Sequence, residues 1–215
     1  MSKQNLTVHR EMTINTKQII PNGWFSRFEF IKGVVAFTQL PENSIAEVAF
    51  AGRSNVGKSS VLNKITNRRS LARTSKSPGR TRELNYFAYD ESIHIVDLPG
   101  YGYAKVDETM RNLWAKLLER YLRERNCLKG VFLIMDIRHP MGKFDQIMLN
   151  YCQSCDLSLH VLLNKSDKLS KSAAKKTTME IRSELKNING SVQEFSALKG
   201  VGLDEAREKL AEWLF

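Results

Sequence analysis

Apolar and polar positions in this chain alternate between short continuous runs and helical stripes. Glu47–Ala51 (EVAFA) is a short run that reads as a buried strand, and Ser60-Val61-Leu62-Asn63-Lys64-Ile65 reads as the start of a helix. Leu84–Tyr89 and Ile93–Leu98 are two runs parted by Asp90-Glu91-Ser92, the pattern of a β-hairpin. Between Asp107 and Arg125, the residues Leu113, Trp114, Leu117, Leu118, Tyr121 and Leu122 recur at helical spacing. Further on, Val131–Asp136, Leu157–Leu163 and Val192–Phe195 read as strands, with Asp145–Tyr151 and Ser172–Leu185 as the helices between them. Leu203, Ala206, Leu210 and Leu214 mark a closing helix, with Asp204 and Glu205 in its first turn, where the helix dipole favours carboxylates. Phe28–Leu40 is apolar, interrupted by Gly33 and closed by Pro41, and its pattern chooses neither strand nor helix. Residues 66–82 lack apolar periodicity and read as a long loop. Residues 1–27, mostly polar, read as a flexible or loosely docked arm preceding one domain over residues 28–215.

Six strands alternating with helices, with one hairpin near the start, predict an α/β domain. The expected sheet is six-stranded and mostly parallel, with one antiparallel strand and helices on both faces. Ligands bind such sheets at the carboxyl ends of the strands. A hydrophobic content of 42% and a charged content of 26% exclude a disordered chain. The net charge of +10 points to an anionic partner, nucleic acid or membrane, and says nothing about fold. Three cysteines argue against a disulfide framework and for a reducing compartment. Cys152 and Cys155 form one C-x-x-C with no second pair, so a helix-end pair is expected rather than a zinc site. No run approaches the ~18 apolar residues of a membrane span, so a soluble, cytoplasmic protein without a membrane anchor is expected.

The chemistry lies at the predicted strand ends. Residues 52–59, Gly52-Arg53-Ser54-Asn55-Val56-Gly57-Lys58-Ser59, fit G-x-x-x-x-G-K-[ST] between a strand and a helix. The glycines let backbone N–H groups point inward, and with the helix N-terminus these hold di- and triphosphate oxygens. Lys58 adds a charge near the β- and γ-phosphates, and the Ser59 hydroxyl is placed to ligate Mg²⁺. Asp97-Leu98-Pro99-Gly100 is a D-x-x-G at a strand end. Its carboxylate can hold Mg²⁺ through water, and the Gly100 N–H can face a γ-phosphate. Asn164-Lys165-Ser166-Asp167 is N-K-x-D. The Asp167 carboxylate can accept from guanine N1–H and its 2-amine, a donor pair adenine lacks, so the motif selects GTP over ATP. Asn164 would buttress the loops, and the Lys165 stem would lie along the base. In Ser196-Ala197-Leu198, the Ala197 N–H can reach guanine O6. A switch threonine is needed between the first two motifs, and Thr74 and Thr81 are the candidates. If Tyr89 pairs with Ser92, then Leu84 faces Asp97 and Thr81 lies just beyond, on the nucleotide edge, which favours Thr81.

GRSNVGKSS, LARTSKSPGRTRELN, DLPGYGYA, MDIRHP and FSALKG together resemble the EngB family of bacterial GTPases, of the TrmE-Era-EngA-EngB-septin-like class. The resemblance runs from about residue 28 to the C-terminus and includes the spacing between motifs. It implies a three-layer Ras-like P-loop GTPase fold and a GTP-controlled assembly factor for the large ribosomal subunit. It also implies a need for the protein in normal cell division and septation. By the same resemblance Gly52–Ser59 bind phosphates, and Ser59 and Thr81 bind Mg²⁺. Gly79, Arg80, Thr81, Arg82 and Glu83 form the switch contact. Asp97, Leu98, Pro99 and Gly100 lie near the γ-phosphate, and Asn164, Lys165, Ser166, Asp167, Phe195, Ser196 and Ala197 hold the guanine. Tyr101 stands where Ras-like enzymes carry a water-orienting glutamine, so slow intrinsic hydrolysis is expected. Related GTPases with Asn at the position of Asn55 use it to bind K⁺. The expected catalytic set is therefore Lys58, Thr81, Gly100 and Asn55, with Mg²⁺, GTP or GDP, and K⁺ as ligands.

Residues 60–82 hold Lys64, Arg68, Arg69, Arg73, Lys76, Arg80 and Arg82 and no acidic residue, and Lys165–Lys176 is a second basic run. Positive charge on a nucleotide-sensing loop suggests contact with a phosphate backbone under GTP control. Two classes of function follow. One is a monomeric regulatory GTPase bound to the large subunit or its precursor. The other is an RNA- or protein-binding scaffold with a structural, slowly turning nucleotide site.

Overall fold

The computed structural model describes residues 23–72, 83–100 and 108–215, the side chains of 108–114 excepted. Its strands are β1 (Glu29–Val34), β2 (Ala46–Gly52), β3 (Leu84–Ala88), β4 (Ile93–Asp97), β5 (Leu128–Asp136), β6 (Leu159–Asn164) and β7 (Gly190–Glu194). The helices are α1 (Lys58–Ile65), α2 (Glu108–Glu124), α3 (Lys143–Ser154), α4 (Lys171–Glu184) and α5 (Leu203–Leu214). The sheet order is β1-β3-β4-β2-β5-β6-β7. β4, β2, β5, β6 and β7 pair in parallel, while β3 pairs antiparallel with both β4 and β1.

Two differences from the sequence reading stand out. The sheet has seven strands, because Glu29–Val34 of the undecided Phe28–Leu40 stretch forms the edge strand β1. The hairpin register is also shifted by one residue: Asn85, not Leu84, faces Asp97. Asp90 is the cause. Its Oδ1 accepts from the Ser92 N–H, the Ser92 hydroxyl and the Ile93 N–H. This Asx-type cap keeps Ser92 in the turn, and Tyr89 N–H donates to the Ile93 carbonyl instead.

Strand alternation sends successive side chains to two separate cores. Val48, Phe50, Phe132 and Ile134 pack with Val61, Leu62 and Ile65 of α1 and Ala206, Leu210 and Leu214 of α5. Ala49, Ala51, Val131, Leu133 and Met135 pack on the opposite face, against Leu118 and Tyr121 of α2, Met148 and Cys152 of α3 and Ile181 of α4. Both faces are covered, so Tyr86 and its neighbour Phe87 are both buried. Phe25, just before β1, is buried in the α1/α5 core. Its neighbour Trp24 stands edge-on to Phe215, with ring centroids 4.3 Å apart.

Cys152 lies buried on the last turn of α3 and Cys155 caps that helix, both as free thiols. Burial pushes the Cys152 thiol up to about 12. No described helix is long and apolar enough to cross a membrane.

The amino end of the sheet is locked by a buried carboxylate. Glu47 is fully buried and accepts from the Tyr86 and Tyr121 hydroxyls at 3.2 and 2.9 Å. The Arg125 guanidinium meets it through Nε at 3.1 Å and Nη2 at 2.6 Å, and Nη2 also donates to the Pro41 carbonyl. Glu47 thus joins β2 to β3 and the end of α2, and Arg125 extends the link to the loop before β2. Burial beside this carboxylate pushes both tyrosines far above their ordinary range.

Candidate nucleotide site

The carboxyl ends of β2, β4, β5 and β6 lie side by side, with Phe50 opposite Asp97, Gly52 opposite Ile134 and Asp136 opposite Asn164. Loop residues 53–57 leave β2 and feed α1. Gly57 sits at the helix N-cap with φ +94°. A Cβ there would lie 2.6 Å from Asn164 Nδ2, so glycine is required both for the turn and for the close approach. Asn55 also has positive φ, at +66°, an uncommon conformation that asparagine tolerates better than most residues. The first N–H groups of α1 and its positive dipole end open onto this loop. Ser59 lies in the first turn, partly exposed. The Lys58 ammonium is bonded to the Asp97 carboxylate at the end of β4. Leu98 N–H donates to the Phe50 carbonyl at 2.9 Å, which fixes the start of the Asp97–Gly100 turn. A Cβ at Gly100 would lie 3.4 Å from Ser54 Oγ, so this turn abuts the loop after β2.

Asn164 ties three segments together. Its Nδ2 donates to the Val56 carbonyl at 2.8 Å, and its Oδ1 accepts from the Ala197 N–H at 3.2 Å. Lys165, at φ +65°, reaches across the loop and donates to the Asn55 carbonyl at 2.7 Å. Ser166 N–H donates to the Phe195 carbonyl, bringing the two base-side loops together. Ser196 is fully buried, and its hydroxyl donates to Asp167 Oδ1 at 2.6 Å while accepting from the Lys199 N–H. That bond to Ser196 is the main influence holding the Asp167 carboxyl below its usual range. An anionic Asp167 is therefore presented as an acceptor beside Ala197, whose chain donor is already oriented.

Asp136 is a site residue to which the sequence reading gave no role. Arg138 Nε and Nη2 donate to it at 2.9 and 2.7 Å, and Lys165 Nζ lies 3.0 Å away. The Arg138 guanidinium, then the Lys165 ammonium, hold its carboxyl well below the carboxylate range. Asp136 thereby fixes the head of Lys165 while the stem crosses the loop. The signal was present, since Asp136 is the second residue of MDIRHP and closes a predicted strand. Arg53 lies against Gly142, where an added Cβ would meet its Nη1 at 2.6 Å, and near the buried Asp145.

Gly79, Arg80, Thr81, Arg82, Thr74, Tyr101 and Tyr103 lie outside the described residues, and Glu83 is exposed at the root of β3. His94 and His160 are buried in hydrogen bonds with serine hydroxyls, away from the strand carboxyl ends. Among the described residues no cluster of three or more His, Cys, Asp or Glu side chains forms a metal cage.

Residues 47–165 match the family model described as 50S ribosome-binding GTPase. The chain is 49% identical over 191 residues to the probable GTP-binding protein EngB of Vibrio parahaemolyticus serotype O3:K6, covering 88% of this chain and 87% of that protein. It is 45% identical over 191 residues to the probable GTP-binding protein EngB of Coxiella burnetii (strain CbuG_Q212), covering 88% and 93%. Among solved structures, one of a probable GTP-binding protein EngB aligns with a TM-score of 0.62 at 20% identity, over 79% of this chain and 98% of that one. A structure of Era with MgGDPNP and 16S ribosomal RNA nucleotides aligns at 0.63 and 22% identity, over 80% and 57%. At these identities the two structures speak for the fold alone.

Proposed function

Because the chain belongs to the EngB family of GTP-binding proteins and has the Ras-like GTPase fold, we propose that it is a GTP-controlled assembly factor for the large ribosomal subunit. In this reading it hydrolyses GTP to GDP and phosphate and is needed for normal division and septation. The observation that carries the guanine assignment is the Asp167–Ser196 pair beside the Ala197 N–H, itself held by Asn164. Asp167 takes the N1–H and 2-amine of guanine, and O6 shares the Ala197 N–H with Asn164 Oδ1 in a three-centre bond. Gly52–Ser59 hold the phosphates, with Lys58 released from Asp97 to the β- and γ-oxygens.

Ser59 and Asp97 offer the hydroxyl and carboxylate oxygens that suit Mg²⁺, which keeps most of its water shell and so needs no protein cage. With Thr81 they would hold the ion, and the bound ion would offset charge on the β- and γ-phosphates. Asn55 sits on the exposed rim of the phosphate loop. A K⁺ ion held there would add positive charge where Tyr101 supplies no water-orienting amide. GTP engages the two switch contacts, the GTP-bound state favours the ribosomal particle, and hydrolysis releases it.

Single-turnover GTP hydrolysis in K⁺ and in Na⁺ buffer, with and without Mg²⁺ and large subunits, tests this reading. We expect a Mg²⁺-dependent rate raised by K⁺ and by the subunits. A rate indifferent to all three would leave a scaffold whose nucleotide is structural.

A further inference from the structure

The outer face of α1 carries an open cleft of about 400 Å³ that adjoins the base loop at Ala197 and whose cations the nucleotide reading does not use. Its lining includes Ser60, Lys64, Asn67, Arg68, Arg69 and Ala197, and no carboxylate. Two of the cations are unpaired among the described residues: neither Lys64 nor Arg69 is in an ion pair there. The floor is rigid. Asn63 Nδ2 donates to the Ala72 carbonyl at 2.9 Å, and its Oδ1 accepts from the Ala72 N–H at 2.8 Å. Arg68 N–H donates to the Asn63 carbonyl, and its Nη1 donates to the Ser26 carbonyl at 2.9 Å. The segment after α1 is thus pinned back onto the helix, which presents three cations from one fixed surface. In the second basic run Lys165, Lys168 and Lys176 face Asp136, Asp167 and Glu180, so much of its charge is already matched by carboxylates.

A fixed, carboxylate-free cleft with three cations and flanking hydroxyl and amide donors suits phosphate oxygens. An open cleft on a helix face suits a strand that passes along it better than an enclosed small molecule. We infer that this cleft is a phosphodiester-backbone site for RNA, separate from the phosphate loop; that the strand belongs to ribosomal RNA rests on the reading proposed above.

The test compares Lys64→Ala/Arg69→Ala with a charge-matched control, Lys129→Ala/Lys186→Ala, at exposed positions far from the cleft. Melting temperatures confirm that each variant folds. Binding to isolated large subunits and to a uridine dodecamer is measured from 50 to 300 mM KCl. Two lost phosphate contacts flatten the log-affinity slope by roughly 1.5 and weaken binding at low salt by about tenfold or more. We expect this for the cleft variant on both probes and little change for the control. Equal loss in both variants overturns the site in favour of diffuse charge. Dodecamer binding without subunit binding keeps the site and sinks the ribosomal reading. Wild-type protein that binds neither probe overturns both.

Discussion

Replacing Asn164 with alanine should cost far more nucleotide affinity than its distance from any phosphate suggests. The side chain is 3% exposed and makes two bonds, one to the Val56 carbonyl in the phosphate loop and one from the Ala197 N–H in the base loop. The Val56 carbonyl lies under a buried residue, so losing its donor costs about 1–3 kcal/mol. Ala197 is only partly buried, and the net loss there is about 0.5–1.5 kcal/mol. Together these give roughly 2–4 kcal/mol. Both bonds tie a nucleotide-binding loop to the end of β6, so the loss falls on the ordering of those loops that a nucleotide must then supply. At about 1.4 kcal/mol per tenfold, GDP and GTP should bind roughly 30- to 700-fold more weakly.

Competition against a fluorescent GDP gives the two constants, and thermal unfolding without nucleotide gives the stability share. Asn164→Asp separates the two bonds. It keeps the acceptor for Ala197 but sets a carboxylate against the Val56 carbonyl, and should do at least as badly. Affinities within threefold of wild type, with the whole cost appearing in the melting temperature, would refute the argument.

Three other substitutions bear on separate claims. Asp167→Asn keeps one acceptor and turns an N–H₂ donor toward the guanine amine, so GTP affinity should fall about 100-fold or more. XTP, with a carbonyl at that position, should then compete better than GTP in the same displacement assay. Glu47→Ala strands Arg125 and two buried tyrosine hydroxyls. Breaking a buried pair from one side costs about 3–5 kcal/mol, which for a domain this size is roughly 10 °C of melting temperature. His160 is buried between Ser191 Oγ and Gln193 Oε1 at 2.7 and 2.8 Å. Because Gln193 Nε2 donates to the Gly202 carbonyl, Oε1 must accept, which places the imidazole proton on Nε2 and leaves Nδ1 to accept from Ser191. Burial first, offset by the Gln193 bond, lowers this histidine to about 4. The unfolded chain therefore binds the extra proton between about pH 6.5 and 4. His160 contributes stability above pH 6.5 that is lost as pH falls through that window, about 3 kcal/mol at most. His160→Gln should flatten this part of the urea-denaturation profile, and an unchanged acid slope would count against the assignment.

The placement of the phosphate and base motifs was legible in the sequence because each lies within one strand-to-loop junction. Asp97 ends an apolar run, Asn164 ends another, and alternation did not need to be resolved to put both at one edge. What escaped was either weakly patterned or long-range. Glu29–Val34 is an edge strand with Phe30 and Ile31 both exposed and a register shift between Phe30 and Lys32, so no period of two survives to mark it. The hairpin register turned on a single side chain, Asp90, which moved the whole ladder by one residue.

Glu47 looked like an ordinary polar position in EVAFA, because its partners Tyr86, Tyr121 and Arg125 lie 39, 74 and 78 residues away. Yet Glu47 and Gly52 are the two ends of one strand. β2 carries the stability lock at its amino end and the phosphate loop at its carboxyl end, with the buried Val48, Ala49, Phe50 and Ala51 between them. A strand clamped on both faces transmits little bending. Glu47→Gln, which keeps an acceptor for the tyrosines while removing the charge, should therefore lower the melting temperature by several degrees and leave the GDP dissociation constant within threefold. Parallel losses in both quantities would mean that the lock sets the geometry of the phosphate loop as well as the stability of the sheet.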